Sequence, residues 1–148
     1  MFWQEKIDRL KKQLGPDAFR DPFRRGILIR EKIFARFFKT NFLVNIEHWE
    51  IKDPAYVLSV RSADFRSQVW LKLPEKQLYW LLVEKAPAGG RFQVYEGTRD
   101  ALQAVIQLGG ESGIFFLVEK KYKWLIRVQK SGEELSLWKS GEGKTPFD

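Results

Sequence analysis

Ile114-Phe115-Phe116-Leu117-Val118, Trp124-Leu125-Ile126-Arg127-Val128 and Glu134-Leu135-Ser136-Leu137-Trp138 are three short runs rich in β-branched and aromatic residues. Short connections with charged turns at Glu119-Lys120-Lys121 and Lys130-Ser131-Gly132-Glu133 separate them. Such runs suit a pleated, half-buried surface, and connections this short join antiparallel neighbours, because a parallel crossover needs a dozen residues or more. The stretch therefore predicts a three-stranded meander over 114–138. Side chains alternate along a strand, so Trp124, Ile126 and Val128 are expected on one face.

Upstream of the meander, Thr98 is placed to cap a helix in which Asp100 sits in the first turn, Ala101, Leu102, Val105 and Leu108 recur at helical spacing, and Gly109-Gly110 gives the stop. Leu78–Glu84 and Phe92–Tyr95 read as strands joined through Pro87-Ala88-Gly89-Gly90. Phe65, Val69 and Leu73 recur at intervals of four before Pro74 and predict a short helix. Tyr56–Val60 reads as a strand, and a further strand is expected near Phe42–Ile46.

Two amphipathic helices open the chain. Trp3, Ile7, Leu10 and Leu14 mark the first, which Gly15-Pro16 ends, and Ile29, Ile33, Phe34, Phe37 and Phe38 mark the second, between about Arg24 and Lys39. The whole chain, 1–148, is expected to form one α+β domain: an N-terminal helix pair and further helices packed on one face of a mostly antiparallel sheet that ends in the meander, with 141–148 as a loose tail.

Composition bounds the chemistry. The chain has 148 residues, no Cys and one His, which removes disulfides, thiolate nucleophiles, thiolate zinc sites and most histidine-based metal sites. His48, between Glu47 and Trp49, is expected to be a locally bonded loop residue. Gly141-Glu142-Gly143-Lys144-Thr145 imitates the end of a phosphate-binding loop, but Trp138 stands where the first Gly belongs and too few residues follow for a helix. Ser136-Leu137-Trp138-Lys139 and Gly110-Glu111-Ser112-Gly113 match nucleophile motifs only in fragments and in the wrong structural setting. Glu84, Glu96, Asp100 and Glu119 are expected to be solvated or ion-paired. No enzymatic activity, cofactor or metal is expected.

The charge is unevenly distributed. The net charge is +7, with 11 basic against 5 acidic residues in 1–40 and near balance afterwards. At about 100° per residue, Arg25, Lys32, Arg36 and Lys39 fall within an arc of about 60° on the second helix. They form a basic stripe suited to an anion or an acidic partner, or a solvated face. Among the aromatics Trp49, Trp70, Trp80, Tyr95, Tyr122, Trp124 and Trp138, core packing is expected for Trp80 and Trp124. Trp138, near the exposed end, is the candidate for a contact residue. No segment has the length of a membrane span, and the N-terminus lacks the apolar core of a signal peptide, so a cytoplasmic protein without membrane contact is expected.

Phe92-Gln93-Val94-Tyr95-Glu96-Gly97-Thr98, the helix after it, and Phe115–Leu125 with its core Lys121-Tyr122-Lys123-Trp124-Leu125 carry a resemblance. Over about residues 60–128 the chain resembles a family of uncharacterised small bacterial proteins with a Val-Tyr-Glu-Gly strand end and a Lys-Tyr-x-Trp-Leu hairpin. The resemblance implies a small α+β protein and, by fold-level analogy, a likeness to immunity proteins of the Smi1/Knr4-like group. Members of the family it resembles often continue with a Glu-Asn-His-His type segment where Arg127-Val128-Gln129-Lys130-Ser131 stands here, so any site built on those histidines is expected to be missing. A non-enzymatic binding protein is expected, with another protein, such as a toxin, as partner. The alternative is a nucleic-acid-binding domain that uses the basic second helix and exposed aromatics.

Overall fold

The computed structural model describes residues 3–14, 19–20, 26–39, 50–84, 92–108, 114–141 and 144–147. Along the chain run α1 (Trp3–Leu14), β1 (Phe19–Arg20), α2 (Gly26–Phe37), β2 (Ala55–Arg61), α3 (Phe65–Gln68), β3 (Leu78–Glu84), β4 (Phe92–Thr98), α4 (Arg99–Leu108), β5 (Ile114–Glu119), β6 (Trp124–Ser131) and β7 (Glu134–Gly141). The strands form one sheet in the order β1-β4-β3-β5-β6-β7-β2, and every pairing is antiparallel. The chain is α+β, and β5, β6 and β7 form the C-terminal meander. Gly132, with φ +62°, opens the two-residue turn between β6 and β7.

Helices cover both faces of the sheet, where the sequence suggests one. On the first face Tyr79, Leu81, Tyr95, Phe115, Leu117, Trp124, Ile126, Val128 and Leu137 pack with Ala101, Leu102 and Val105 of α4, Phe65 of α3 and, at the margin, Leu10 and Leu14 of α1. On the second, Ile33, Phe34, Phe37 and Phe38 lie over Trp80, Leu82, Val94, Ile114, Phe116, Val118 and Leu125. The reason lies in β5: all six residues of Ile114–Glu119 are buried. An apolar run without polar alternation has no side to give to solvent, so each face needs its own cover.

Three further expectations change. The Phe65–Leu73 segment buries Phe65, Val69 and Leu73 as their spacing suggests, but the helix divides into the α3 turn between two 3₁₀ turns, Ser62–Asp64 and Trp70–Lys72. The tail is not loose at 144–147. Thr145 and Phe147 are buried, and the Phe147 ring meets Trp124 edge-on at 6.5 Å, because one apolar ring beside an open core edge gains more by burial than the tail loses in freedom. Strand β4 runs to Thr98, beyond the Tyr95 end that the sequence suggests, and α4 begins at the next residue. The strand suggested at Phe42–Ile46, together with His48 and Trp49, lies outside the described residues.

One end of the first face holds a charge-sensitive pair. Tyr79 stands opposite Glu119 in the β3–β5 register and is 1% exposed. Burial, helped by the Glu119 charge, pushes the Tyr79 hydroxyl up to about 12 from its usual 10. The unfolded chain therefore loses this proton first, and stability that is fully present below pH 10 declines as pH rises toward 12. Thermal melts between pH 9 and pH 12 are expected to show this loss, and Tyr79→Phe should flatten it. A slope unchanged in Tyr79→Phe would assign the alkaline loss to other groups.

Candidate partner-binding face

Helix α2 presents its apolar arc to the sheet, and so turns its cations outward. Ile33, Phe34, Phe37 and Phe38 are buried, whereas Lys32, Arg36 and Lys39 are exposed, as the helical arithmetic requires. Arg25, the fourth member of the suggested stripe, lies outside the described residues. Lys39 stands 3.6 Å from the Glu50 carboxylate, but both side chains are well exposed, so the pair contributes little to stability and leaves the cation available. Arg36 sits at the C-terminal end of α2, where its charge also complements the helix dipole.

The structure adds a second basic element to this helix. Arg36 donates from Nε to the Tyr122 carbonyl at 3.4 Å, which sets the α2 end against the β5–β6 turn. That turn carries Lys121 and Lys123, both exposed, on either side of Tyr122, whose φ of +58° tightens the bend. Lys32, Arg36, Lys39, Lys121 and Lys123 thus belong to two adjoining elements on the α2 side of the sheet. The sequence shows the helical stripe, while the turn is remote from it in the chain and joins it only through the fold.

The turn is held in place by contacts to β3 and β4. Lys120 forms an ion pair and hydrogen bond with Glu96 of β4, and its ammonium stands 4.5 Å over the Trp80 ring. Tyr122 packs against the same ring, with centroids 4.8 Å apart. The Glu119 carboxylate accepts the backbone N–H of Lys121. Burial raises the Tyr122 hydroxyl above its ordinary value. Glu96 of β4 and Lys120 and Tyr122 of the turn therefore meet around Trp80, and these contacts fix the geometry of the β5–β6 turn.

Trp138, the remaining candidate, stands on the sheet and not on the helix. It is half-buried in β7, with Arg127 of β6 as one cross-strand neighbour and Tyr56 of β2 as the other. It borders the apolar group under α2, so it shares a side of the sheet with the basic helix. Trp80 and Trp124 are core residues, as expected. Arg127 and Tyr56 carry no motif; the signal in the sequence is a cation inside the second strand of the meander, out of phase with Trp124, Ile126 and Val128.

Among the described residues no three acidic or histidine side chains converge to hold a metal, and no helix is long and apolar enough to cross a membrane. No curated protein and no solved structure matches the chain. A family model does match, over residues 5–140. It agrees with the likeness to an uncharacterised family and carries nothing of the immunity-protein analogy. With the match spanning nearly its whole length, the chain belongs to DUF6756, a family of unknown function.

Proposed function

We propose that this protein is a non-enzymatic cytoplasmic binding protein that docks an acidic surface of another protein on the α2 side of its sheet. The observation that carries this reading is the junction at Arg36 and Tyr122, which brings the basic end of α2 beside the β5–β6 turn that carries Lys121 and Lys123. Cations at the rim of a docking face act mainly on the encounter rate, by steering an oppositely charged partner into register. A toxin with an acidic face, the partner that the immunity-protein analogy suggests, would be one such partner.

A second reading has an observation of its own. Exposed Tyr56 and half-buried Trp138 lie on the same side of the sheet as the basic helix, and accessible rings beside cations can stack the bases of a single-stranded nucleic acid. The two readings separate in one experiment. Wild type and the Arg36→Glu/Lys39→Glu variant are titrated with a polyglutamate peptide and with single-stranded and duplex oligonucleotides at about 50 and 200 mM salt. Protein docking predicts polyglutamate binding that weakens with salt and falls about tenfold in the variant, with Tm nearly unchanged. Oligonucleotide binding whose log affinity falls with log salt by about 0.7–0.9 per phosphate contact, without polyglutamate binding, would replace the first reading with the second.

A further inference from the structure

On the second face of the sheet, the apolar group under α2 reaches Ile114, Phe116 and Val118 of β5 and Leu125 of β6, with Trp138 of β7 packed at its margin. Beyond them the face changes character. Arg127 lies opposite Trp138, and Trp138 opposite Tyr56, so the three side chains form one row across β6, β7 and β2. Next to that row, Gln129, Ser136 and Ser59 form a polar one by the same register.

The row is built to stay in place. Tyr56 is 62% exposed, yet its hydroxyl donates to Ser59 Oγ at 2.8 Å, and Ser59 Oγ shares a hydrogen bond with Ser136 Oγ at 2.9 Å. The ring is thus tied at both ends while remaining accessible, so little side-chain freedom is left to lose on contact. Its edge meets the Trp138 ring at 6.0 Å and 70°.

Arg127 is the unsatisfied member. It is half-buried, its guanidinium carbon lies 6.0 Å from the Trp138 centroid, and its buried Nε has no hydrogen-bond partner. Among the described residues it makes no ion pair. Arg99, whose buried Nε also lacks a hydrogen-bond partner, is compensated elsewhere: its Nη1 donates to the Leu71 and Leu73 carbonyls at 3.0 and 2.9 Å, and the Asp100 carboxylate stands 3.5 Å from its Nε. Burial lowers the Arg127 pKa from its ordinary value, but a guanidinium keeps its charge at neutral pH. A charge taken partly out of water without a counter-ion is a standing cost that an incoming carboxylate relieves.

We propose that Arg127, Trp138 and Tyr56 form the anchoring spot of a protein-docking face, where a carboxylate side chain of an acidic partner protein completes the Arg127 guanidinium. The proposal rests on the acidic-partner reading above and adds the point of tightest contact. Charge complementarity supports this occupant: the chain carries +7 and the exposed cations of α2 lie on the same side of the sheet. Tyr, Trp and Arg are also the residue types that most often dominate binding energy at protein interfaces. The guanidinium fork suits a planar carboxylate, with the indole beside it to exclude water.

The test uses the full chain and polyglutamate as the probe, read by the Arg127 Nε–Hε and Trp138 indole resonances and by Tm. Saturable shifts of both resonances are expected. Arg127→Met should lower the affinity about tenfold while raising Tm by about 2–6 °C, because the variant removes an unpaired, desolvated charge. Arg127→Lys should also weaken binding, since it keeps the charge and loses the fork. A fall in Tm for Arg127→Met together with unchanged affinity in both variants overturns the proposal and makes Arg127 a structural residue. Binding lost in Arg36→Glu/Lys39→Glu but retained in Arg127→Met and Arg127→Lys leaves the docking face standing and removes the anchor. Shifts produced by a single-stranded oligonucleotide and not by polyglutamate overturn the occupant.

Discussion

Gly141→Val is expected to destabilise the protein by about 3 kcal/mol or more, a large part of the roughly 5–15 kcal/mol that holds a domain together. Gly141 ends β7 opposite Trp124, with φ +110°, a conformation that side-chain-bearing residues rarely adopt. A Cβ there would collide with the Lys123 carbonyl oxygen and stand 3.0 Å from the Trp124 Cα. Both obstacles are backbone, so the strand rather than a flexible side chain would have to move. Trp124 would move with it, and its ring packs against Tyr79 at 6.0 Å and Phe147 at 6.5 Å. Gly132→Ala is the control. It has φ +62° but nothing within 4 Å of a new Cβ, so only the backbone penalty of about 1–2 kcal/mol applies. Urea unfolding of the two variants checks the difference; equal losses would show that the close approach at Lys123 is relieved at no cost.

The meander was legible because its signals are local. Each strand announces itself by β-branched and aromatic content, each turn by charge and glycine, and the phase of Trp124, Ile126 and Val128 follows from alternation alone. The outward face of α2 was legible for the same reason: Lys32, Arg36 and Lys39 follow from helix geometry. Which face of the sheet a helix covers is not local. Ile114–Val118 did carry a sign of double cover in its unbroken apolar run, but nothing in the run says which helix supplies which side. The union of the basic helix with the β5–β6 turn depends on a contact between Arg36 and Tyr122, 86 residues apart, and no periodicity encodes such a pairing. Arg127 was hidden differently. A cation in an amphipathic strand reads as solvent-facing, and only the packing of Phe116 and Trp138 around it shows that it is half-removed from water. Phe147 was missed because the glycines and charges around it outweighed one aromatic ring.

Phe37→Ala carries the second large effect, because it acts on both stability and binding. A twelve-residue helix is marginal in water by itself, so α2 keeps its place through tertiary contacts. Phe37 is fully buried beneath it, and Phe34, Phe38 and Phe116 form a neighbouring chain of rings with centroid separations of 4.9 and 5.0 Å. The following segment latches the C-terminal end: Lys52 donates its backbone N–H to the Phe37 carbonyl at 2.7 Å and its Nζ to the Ala35 carbonyl at 2.8 Å. Truncating Phe37 should cost about 3–5 kcal/mol by lost burial and the cavity left behind. The loss should fall first on α2, whose amide exchange should accelerate before that of β5 and β6, since the sheet retains its other face. Polyglutamate affinity should drop with it, because Lys32, Arg36 and Lys39 are aligned only while the helix is docked. Leu117→Ala, on the opposite face beside Phe65, Val69 and Trp70, should lower stability by about 2–5 kcal/mol and spare binding among the molecules that remain folded. If the two variants weaken binding equally at matched folded fraction, α2 is not the platform of the docking face; if Phe37→Ala alone does so, stability and recognition meet in this helix.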